Sequence, residues 1–255
     1  MTYFQELLAV FQRGLIVLWR NKLLLIGNMI LPIAVIIVIG PAADAQTVGL
    51  EYEDLATGIM CMMIFFSGMF IPNNIIWDRE SGYLNMMFVS PCHRSTIVLG
   101  YSLVGAVRST LQVTTIYIGA SLIGISLGHV NLRLGVDILI LLILLTILMT
   151  VFVGGFMTII ASFSKNSETF FLLSGMIVMP LIFLSNVFFN PASLPFGIGA
   201  FGAVNPLNYL VNLVRFITIG TVPPEGPFLG IIILALGAIG FTLLGTFSFV
   251  RTVKK

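Results

Sequence analysis

Six long apolar stretches constrain the fold of this chain more than any other feature. They cover about residues 23–40, 55–77, 96–127, 135–163, 169–188 and 228–250. A bilayer core of about 30 Å is crossed by roughly 20 apolar residues in a helix. Only 9% of the 255 residues are charged, against about 25% in soluble domains, so the chain could not cover itself with a charged surface. The sequence predicts an all-α integral membrane protein with six transmembrane helices, forming a single domain over residues 1–255.

The distribution of Lys and Arg predicts the orientation of these spans, because the basic side of a membrane protein faces the cytoplasm. One side carries Arg13, Arg20, Lys22, Arg79, Arg94, Lys165, Arg251, Lys254 and Lys255. The other side carries Arg133 and Arg215, and its loop 41–54 is acidic. We therefore expect a multi-pass protein of the cell (plasma) membrane with both termini in the cytoplasm. The net charge of +2 is too small to indicate a nucleic-acid partner.

Residues 2–20 combine apolar and charged side chains. The apolar ones recur at helical spacing; they are Phe4, Leu7, Leu8, Phe11, Leu15 and Leu18. The pattern predicts an interfacial amphipathic helix within residues 1–22, lying on the inner leaflet. A surface for a protein partner is the alternative interpretation.

The cytoplasmic loop 78–94 contains a short helical stretch with an apolar side. Tyr83, Leu84, Met87 and Phe88 lie on that side, and Pro91 ends the stretch because the residue before a proline disfavours helix. An apolar face outside the lipid must be buried. Two interpretations stay open: packing on the protein's own helix ends, or docking of a soluble partner.

The segment 189–227 contains six of the 11 prolines and is too broken for a span. Asn205 and Pro206 are typical of a helix start, with Asn as N-cap and Pro at the first helical position. Gly220 is suited to end that helix. We expect a short pair of re-entrant or interfacial helices.

These two segments resemble one known family. Residues Arg79, Glu80, Gly82, Leu84, Pro91 and Arg94 match the coupling-helix signature of the permease subunits of ABC type-2 exporters (the drug, lipid and polysaccharide export type). Asn85 and Met86 depart from it, since charged residues are common there. The outer segment resembles the family's re-entrant helices, through Asn190, Pro191, Pro195, Asn205, Pro206, Tyr209 and Arg215. Asn212 stands where an acidic residue is frequent, so a salt bridge from that position to Arg215 is not expected.

The resemblance implies partners and a mechanism. Two copies of a separate ABC ATPase would bind ATP and Mg, this chain would bind no cofactor, and a second permease would complete a homodimer in membrane lipid. Loop 78–94 would sit in a cleft of the ATPase. Gly82, Leu84, Met87 and Pro91 would shape the transmitted contact, and Arg79, Glu80 and Arg94 would anchor it. The implied cargo is amphipathic: a drug-like molecule, a lipid or a lipid-linked glycan, moved outward.

Arg108 is the unusual charge, because it falls about 18 Å into the third span at 1.5 Å per residue. A charge inside the membrane is costly and indicates a functional site by default. It could gate the path or contact an anionic headgroup; we favour a fixed interhelical hydrogen bond. Gln112 shares its helical face. Asn73 and Asn74 follow Pro72, which could kink or unwind the second span, and these polar residues together form a candidate translocation path.

Small residues on the fourth and sixth spans predict helix packing faces. They are Thr146, Thr150, Gly154, Gly155 and Thr158 on one and Gly237 and Gly245 on the other. Met60–Met63 includes soft ligands for copper(I), but neighbouring helical residues point apart, so no metal site is predicted.

The sequence contains no Gly-x-x-x-x-Gly-Lys-Ser/Thr motif and no catalytic cluster, so we expect a transport component rather than an enzyme. Two alternatives stay open. An ion- or proton-coupled secondary transporter would need titratable groups in mid-membrane. An integral-membrane lipid enzyme would need a cluster at one leaflet, where Asp78 and Glu80 are the nearest candidates.

Overall fold

The computed structural model describes residues 3–44, 51–89, 93–128, 133–187 and 199–253, and every regular element in those ranges is an α-helix. In chain order the helices are α1 (Tyr3–Arg20), α2 (Lys22–Asp44), α3 (Tyr52–Glu80), α4 (Tyr83–Val89), α5 (Arg94–Ser126), α6 (Val136–Phe163), α7 (Ser167–Phe183), α8 (Gly199–Val204), α9 (Pro206–Thr218) and α10 (Pro227–Val253). The predicted all-helical class is confirmed over these residues.

Each of the six apolar stretches overlaps one helix, α2, α3, α5, α6, α7 or α10, although the fifth stretch was expected to reach residue 188 and α7 ends at Phe183. Within the described ranges, α3, α6 and α10 are long and apolar enough to cross a membrane. The pair α1 and α2, bent by 62°, brings the number to four if it is counted as one span. α7 is apolar but only 17 residues long, and α5 has 33 residues but carries Arg108 and Gln112. The chain is therefore a membrane protein with three or four candidate spans.

The third helix forms the centre of the bundle. α3 packs against α2, α5, α6, α7 and α9, and most of its residues are buried. It remains helical through Pro72, so of the two possibilities at that proline, a kink or unwinding, unwinding is not observed. The main core lies between α3 and its neighbours, with Met60, Phe65, Ile116 and Met149 among its fully buried side chains.

The two ends of α3 meet different parts of the chain. Its first turn lies near α9, and its last turn leads into α4. A second, smaller apolar core lies at this α4 end, where Leu84 packs with Ile75, Ile97 and Phe249. The bundle therefore has an α4 end and an α9 end, and the candidate functional residues fall mainly at these two ends.

Glycines allow close packing of α6 on α10, as the small residues predicted. A Cβ on Gly155 would meet the backbone of Phe241 and Thr242, and a Cβ on Gly245 would lie 2.5 Å from the carbonyl oxygen of Gly155. Backbone at that distance cannot move aside as a side chain can. Gly154 faces the other way and packs on Ile71 of α3. The two glycines thus place α6 between α10 and α3.

The N-terminal helix packs on α5 through one face only. Glu6, Val10, Gly14 and Leu18 recur every four residues and are buried. Gly14 lies against Val104, and Val10 lies against Gly100, so each helix contributes a glycine to the contact. In the predicted apolar stripe, Phe4 and Leu8 stay 70% and 42% exposed, and Leu18 is buried. Leu7, Phe11 and Leu15 are partly exposed. Part of the stripe is therefore left uncovered by the chain, which agrees with a membrane surface or a partner as its environment.

Candidate functional site

The segment between α3 and α5 contains a turn at Ser81 and Gly82. The amide of Ser81 donates to the carbonyl oxygen of Trp77, and the amide of Gly82 donates to that of Arg79, at 2.9 and 3.1 Å. Gly82 has a φ of +75°, which glycine adopts without the strain that a Cβ would cause. This turn separates the end of α3 from α4 within the predicted coupling loop.

Two residues on the apolar side of α4 pack against the chain itself, and the side chain of Phe88 lies outside the described residues. Leu84 is 2% exposed, within the smaller core, and Met87 packs against that core. Met86 points the other way and is 72% exposed. Of the two interpretations left open, packing on the protein's own helices therefore accounts for Leu84 and Met87, while Met86 remains available to a partner.

The first residue of the loop is bound by the N-terminal helix. The guanidinium of Arg13 donates two hydrogen bonds to the carboxylate of Asp78, at 2.7 and 2.9 Å. The hydroxyl of Tyr101 on α5 also donates to Asp78 and accepts a hydrogen bond of 2.5 Å from Arg13. The guanidinium lies 3.6 Å from the ring centroid of Tyr83, the first residue of α4. Arg13 thus contacts α3, α4 and α5 together.

The last part of the loop is bound by the same helix. The backbone amide of His93 donates to the carboxylate of Glu6 at 2.9 Å, and the imidazole Nδ1 lies 3.1 Å from the same oxygen. These hydrogen bonds, first from the amide and then from the ring, lower the pKa of Glu6 below its ordinary value. The ring of Tyr3 packs edge-on against His93, and its hydroxyl lies 3.2 Å from that of Ser95. α1 therefore holds both ends of the loop.

Arg79 and Glu80 bind a second connection at the α4 end, between α6 and α7. Arg79 donates to the carbonyl oxygen of Ser164 at 2.5 Å. Glu80 accepts hydrogen bonds from the amide and the hydroxyl of Ser167, at 2.6 and 2.8 Å. These bonds, with the amide first, lower the pKa of Glu80. Both residues were predicted to anchor a partner contact, and both contact the chain's own residues 164–167.

Arg94 and Pro91 were also predicted to take part in the coupling contact. Arg94 is the first residue of α5 and is partly buried. Pro91 lies outside the described residues. Sequence reasoning missed Glu6, Arg13, Ser164 and Ser167 as partners of the loop. The only signal was the four-residue spacing of Glu6, Val10, Gly14 and Leu18, which marks a second buried face on α1.

Arg108 lies at a cavity of about 100 Å³ between α1, α3 and α5. Its guanidinium is 3.8 Å from the ring centroid of Phe70, and the residue is 8% exposed. Asn74 lines the same cavity. Among the described residues, no hydrogen-bond partner accepts from its Nη2 atom, and no carboxylate pairs with it. The fixed interhelical hydrogen bond that we favoured from the sequence is therefore not seen for this nitrogen.

The other candidates for the path lie apart from this cavity. Gln112 accepts a hydrogen bond of 2.5 Å from Ser67 and donates one of 3.3 Å to the carbonyl oxygen of Asn28. It therefore joins α5 to α3 and α2. Asn73 is buried at 3% exposure and does not line the cavity. Of the four candidates, Arg108 and Asn74 line this cavity, and Gln112 and Asn73 do not.

The predicted helix start near the α9 end is confirmed. The side chain of Asn205 accepts from the amide of Leu207 at 3.0 Å, and Pro206 is the first residue of α9. Gly220, with a φ of +90°, donates its amide to the carbonyl oxygen of Arg215 and closes the helix. Tyr209 packs against the main core. Asn190, Pro191 and Pro195 lie outside the described residues.

Arg215 has an acidic partner from another part of the chain. Its Nε lies 2.9 Å from the carboxylate of Asp54 in the first turn of α3. Asn212, at the position where an acidic residue was absent, donates instead to Glu225 at 3.0 Å and accepts from Asn186 at 3.3 Å. The α9 end is thus closed by an ion pair and a small network of amides.

Comparisons with known proteins agree with these features. The family model described as ABC-2 type transporter matches residues 5–219. The "Putative transport permease ycf38" of Porphyra purpurea is 24% identical over 221 residues, which cover 84% of this chain and 74% of that protein. The proteins of the same name from Cyanophora paradoxa and Pyropia yezoensis are also 24% identical, with the same coverage of both chains. The family match includes the whole of loop 78–94 and of α9.

Proposed function

This chain belongs to the family of ABC-2 type transporters, and we propose from that premise that it is the permease subunit of an ATP-driven exporter. ATP and Mg would be bound by a separate ABC ATPase, present in two copies, and a second copy of this chain would complete the transporter. The cargo would be amphipathic, as a drug-like molecule, a lipid or a lipid-linked glycan is. It would move outward across the cell membrane.

In the proposed topology, α2, α3, α5, α6, α7 and α10 each cross the bilayer. The coincidence of these helices with the six apolar stretches supports this count. The α4 end would face the cytoplasm with both termini, because most Lys and Arg residues lie on that side of the predicted topology. α1 would lie along the inner leaflet, and α8 and α9 would form the outer re-entrant segment.

The observation that carries the proposal is the attachment of loop 78–94. Arg13 and Glu6 bind its two ends to α1, Arg79 and Glu80 bind residues 164–167, and Leu84 fixes α4 in the smaller core. A force on the exposed side of α4 would therefore reach α1, α3, α5 and the connection to α7. Closure of two ATPases against this loop would then rock the two permeases about their interface.

The two alternatives gain no support at their critical residues. A lipid enzyme would need Asp78 and Glu80 to act together, but Asp78 binds Arg13 and Tyr101 while Glu80 binds Ser167. A proton-coupled transporter would need a carboxylate near mid-membrane, and none pairs with Arg108 among the described residues.

Measuring ATP hydrolysis by the purified transporter tests whether an ATPase docks on α4 at Met86. The full-length chain is purified with its ATPase, and cargo- or lipid-stimulated ATP hydrolysis is compared between the wild type and Met86→Asp. We expect the variant to lose at least about two-thirds of the stimulation, because a buried unpaired carboxylate at the contact costs on the order of 1–3 kcal/mol. Its thermal stability should stay unchanged, since Met86 is exposed in the chain alone.

Lys165→Gln is the matched control, because Lys165 is exposed on the neighbouring connection and the substitution changes the charge by the same amount. It should hydrolyse ATP as the wild type does. Full stimulation in Met86→Asp would contradict docking through α4. Transport that follows a proton gradient and ignores ATP would contradict the function itself.

A further inference from the structure

The cavity at Arg108 is formed by one face of each of three helices. Tyr101, Val104, Gly105 and Arg108 of α5 line it at spacings of three and four residues. These residues span about 10 Å along the helix at 1.5 Å per residue. The ion pair of Arg13 with Asp78 lies at one end of the cavity, and Arg108 lies at the other. The cavity therefore runs from the α4 end toward the middle of the bundle.

The charge balance of this cavity is incomplete at its deep end. Asp78 is already held by Arg13 and Tyr101. Arg108 is 8% exposed and contacts the ring of Phe70, but its Nη2 atom has no acceptor among the described residues. A buried cation without an anion is strongly disfavoured. An oxyanion in the cavity would supply both the missing charge and the missing acceptor.

The rim of the cavity is apolar and exposed, whereas its deep end is charged and buried. Val17 and Trp77 border it and are 54% and 47% exposed, so the cavity is not sealed there. The cavity of about 100 Å³ has room for a small anionic group. The apolar, open rim would leave the rest of an amphiphile carrying that group in contact with α1 and α3.

We propose that this cavity binds the anionic headgroup of an amphiphile, a phosphate or carboxylate, with Arg108 as the binding cation and Asn74 beside it. The proposal rests on the function proposed above and names the charge class of the cargo. The headgroup enters from the α4 end, past Arg13 and Asp78, while its apolar chain lies along Val17 and Trp77. Arg108 thereby selects anionic over uncharged amphiphiles.

The test uses Trp77 as a reporter in the cavity wall. The chain contains two tryptophans, so Trp19→Phe leaves Trp77 as the only one. The full-length chain in phosphatidylcholine nanodiscs, without ATP, is titrated with dodecyl phosphate, 1-dodecanol or inorganic phosphate. We expect saturable fluorescence changes with dodecyl phosphate at far lower concentration than with the other two. Equal binding of 1-dodecanol, or equal binding of inorganic phosphate, would overturn the proposal.

Variants identify the binding group. Arg108→Gln should weaken dodecyl phosphate binding roughly tenfold to hundredfold, as expected for losing charged hydrogen bonds. Arg108→Lys should retain most of the affinity, and Lys165→Gln should retain all of it. Asn74→Asp keeps Arg108 in place but adds a competing carboxylate, so it should weaken binding even if Arg108→Gln does not fold. Unchanged affinity in Asn74→Asp or in folded Arg108→Gln would overturn the proposal.

This binding assay and the hydrolysis assay fail independently. If the chain shows no preference for anions but ATP hydrolysis still depends on Met86, only the proposed anionic class of the cargo is contradicted. Normal anion binding without any ATP-dependent activity would instead remove the exporter function and leave the site in place.

Discussion

Single charged side chains hold the N-terminal helix to the rest of the chain. Exposed ion pairs contribute about 0–1 kcal/mol to stability, but the pair of Arg13 with Asp78 is bidentate and partly buried, with side chains 28% and 16% exposed. Glu6 is 5% exposed and accepts from both the amide and the ring of His93. Arg13, Asp78 and Glu6 are thus among the few charged residues of the chain, and they attach α1 to loop 78–94.

The lowered pKa of Glu6 predicts a pH dependence of that attachment. A carboxyl group whose pKa falls on folding stabilises the folded state above its unfolded value of 4.5, and this contribution is lost as the pH falls through the lowered pKa. Glu6→Gln should therefore lower the melting temperature at pH 7, and the difference from the wild type should shrink below pH 4.5. Thermal unfolding in detergent at several pH values measures it. A constant difference down to pH 3 would contradict the assigned role.

At the scale of the helices, the close packing of α6 on α10 depends on particular glycines. Gly155 and Gly245 bring α6 and α10 together, with backbone against backbone. Gly240 lies on α10 only five residues before Gly245, yet a Cβ at Gly240 would meet nothing within 4 Å. The helix therefore carries one glycine that packing requires and one that it does not.

Substitution by alanine should have different effects on stability at these two positions. Gly245→Ala should destabilise the protein by about 1–3 kcal/mol, because the added carbon meets the carbonyl of Gly155. Gly240→Ala should be neutral or stabilise by up to about 1 kcal/mol, because alanine is the better helix former. Melting temperatures should differ by several degrees, at about 2–4 °C per kcal/mol. Equal effects of the two substitutions would contradict the α6–α10 packing.

Sequence patterns predicted the helices well because each signal is local. The six apolar stretches match α2, α3, α5, α6, α7 and α10, and Asn205 with Pro206 gave the start of α9. The short helix in loop 78–94 was also predicted. The sequence could not show whether Leu84 packs inside the chain or on a partner, since an apolar side chain on a short helix can face either. Partners of Glu6 and Arg13 lie 65 to 88 residues away. Contacts at such separations leave no periodic signal in one sequence.

At the scale of the whole molecule, the hydrogen-bonded and ion-paired charges described above lie at the α4 end and the α9 end of the bundle. Arg13, Asp78, Arg79 and Glu80 tie the connections at the α4 end, and Asp54 with Arg215 ties α3 to α9 at the other. Arg108 lies between them, beside a cavity that opens toward α1. This arrangement is compatible with the proposed function, in which α4 would receive the force and the α9 end would close the outer side.

Cross-linking from α4 tests this account most directly. A benzophenone amino acid replaces Met86, which is 72% exposed at the α4 end, or Phe228, which is 80% exposed at the start of α10. After irradiation of native membranes, we predict that the Met86 variant is joined to a polypeptide that carries a nucleotide-binding motif and hydrolyses ATP, and that the Phe228 variant is not. A Met86 variant that forms no such product, while transport activity persists, would contradict the docking of an ATPase on α4.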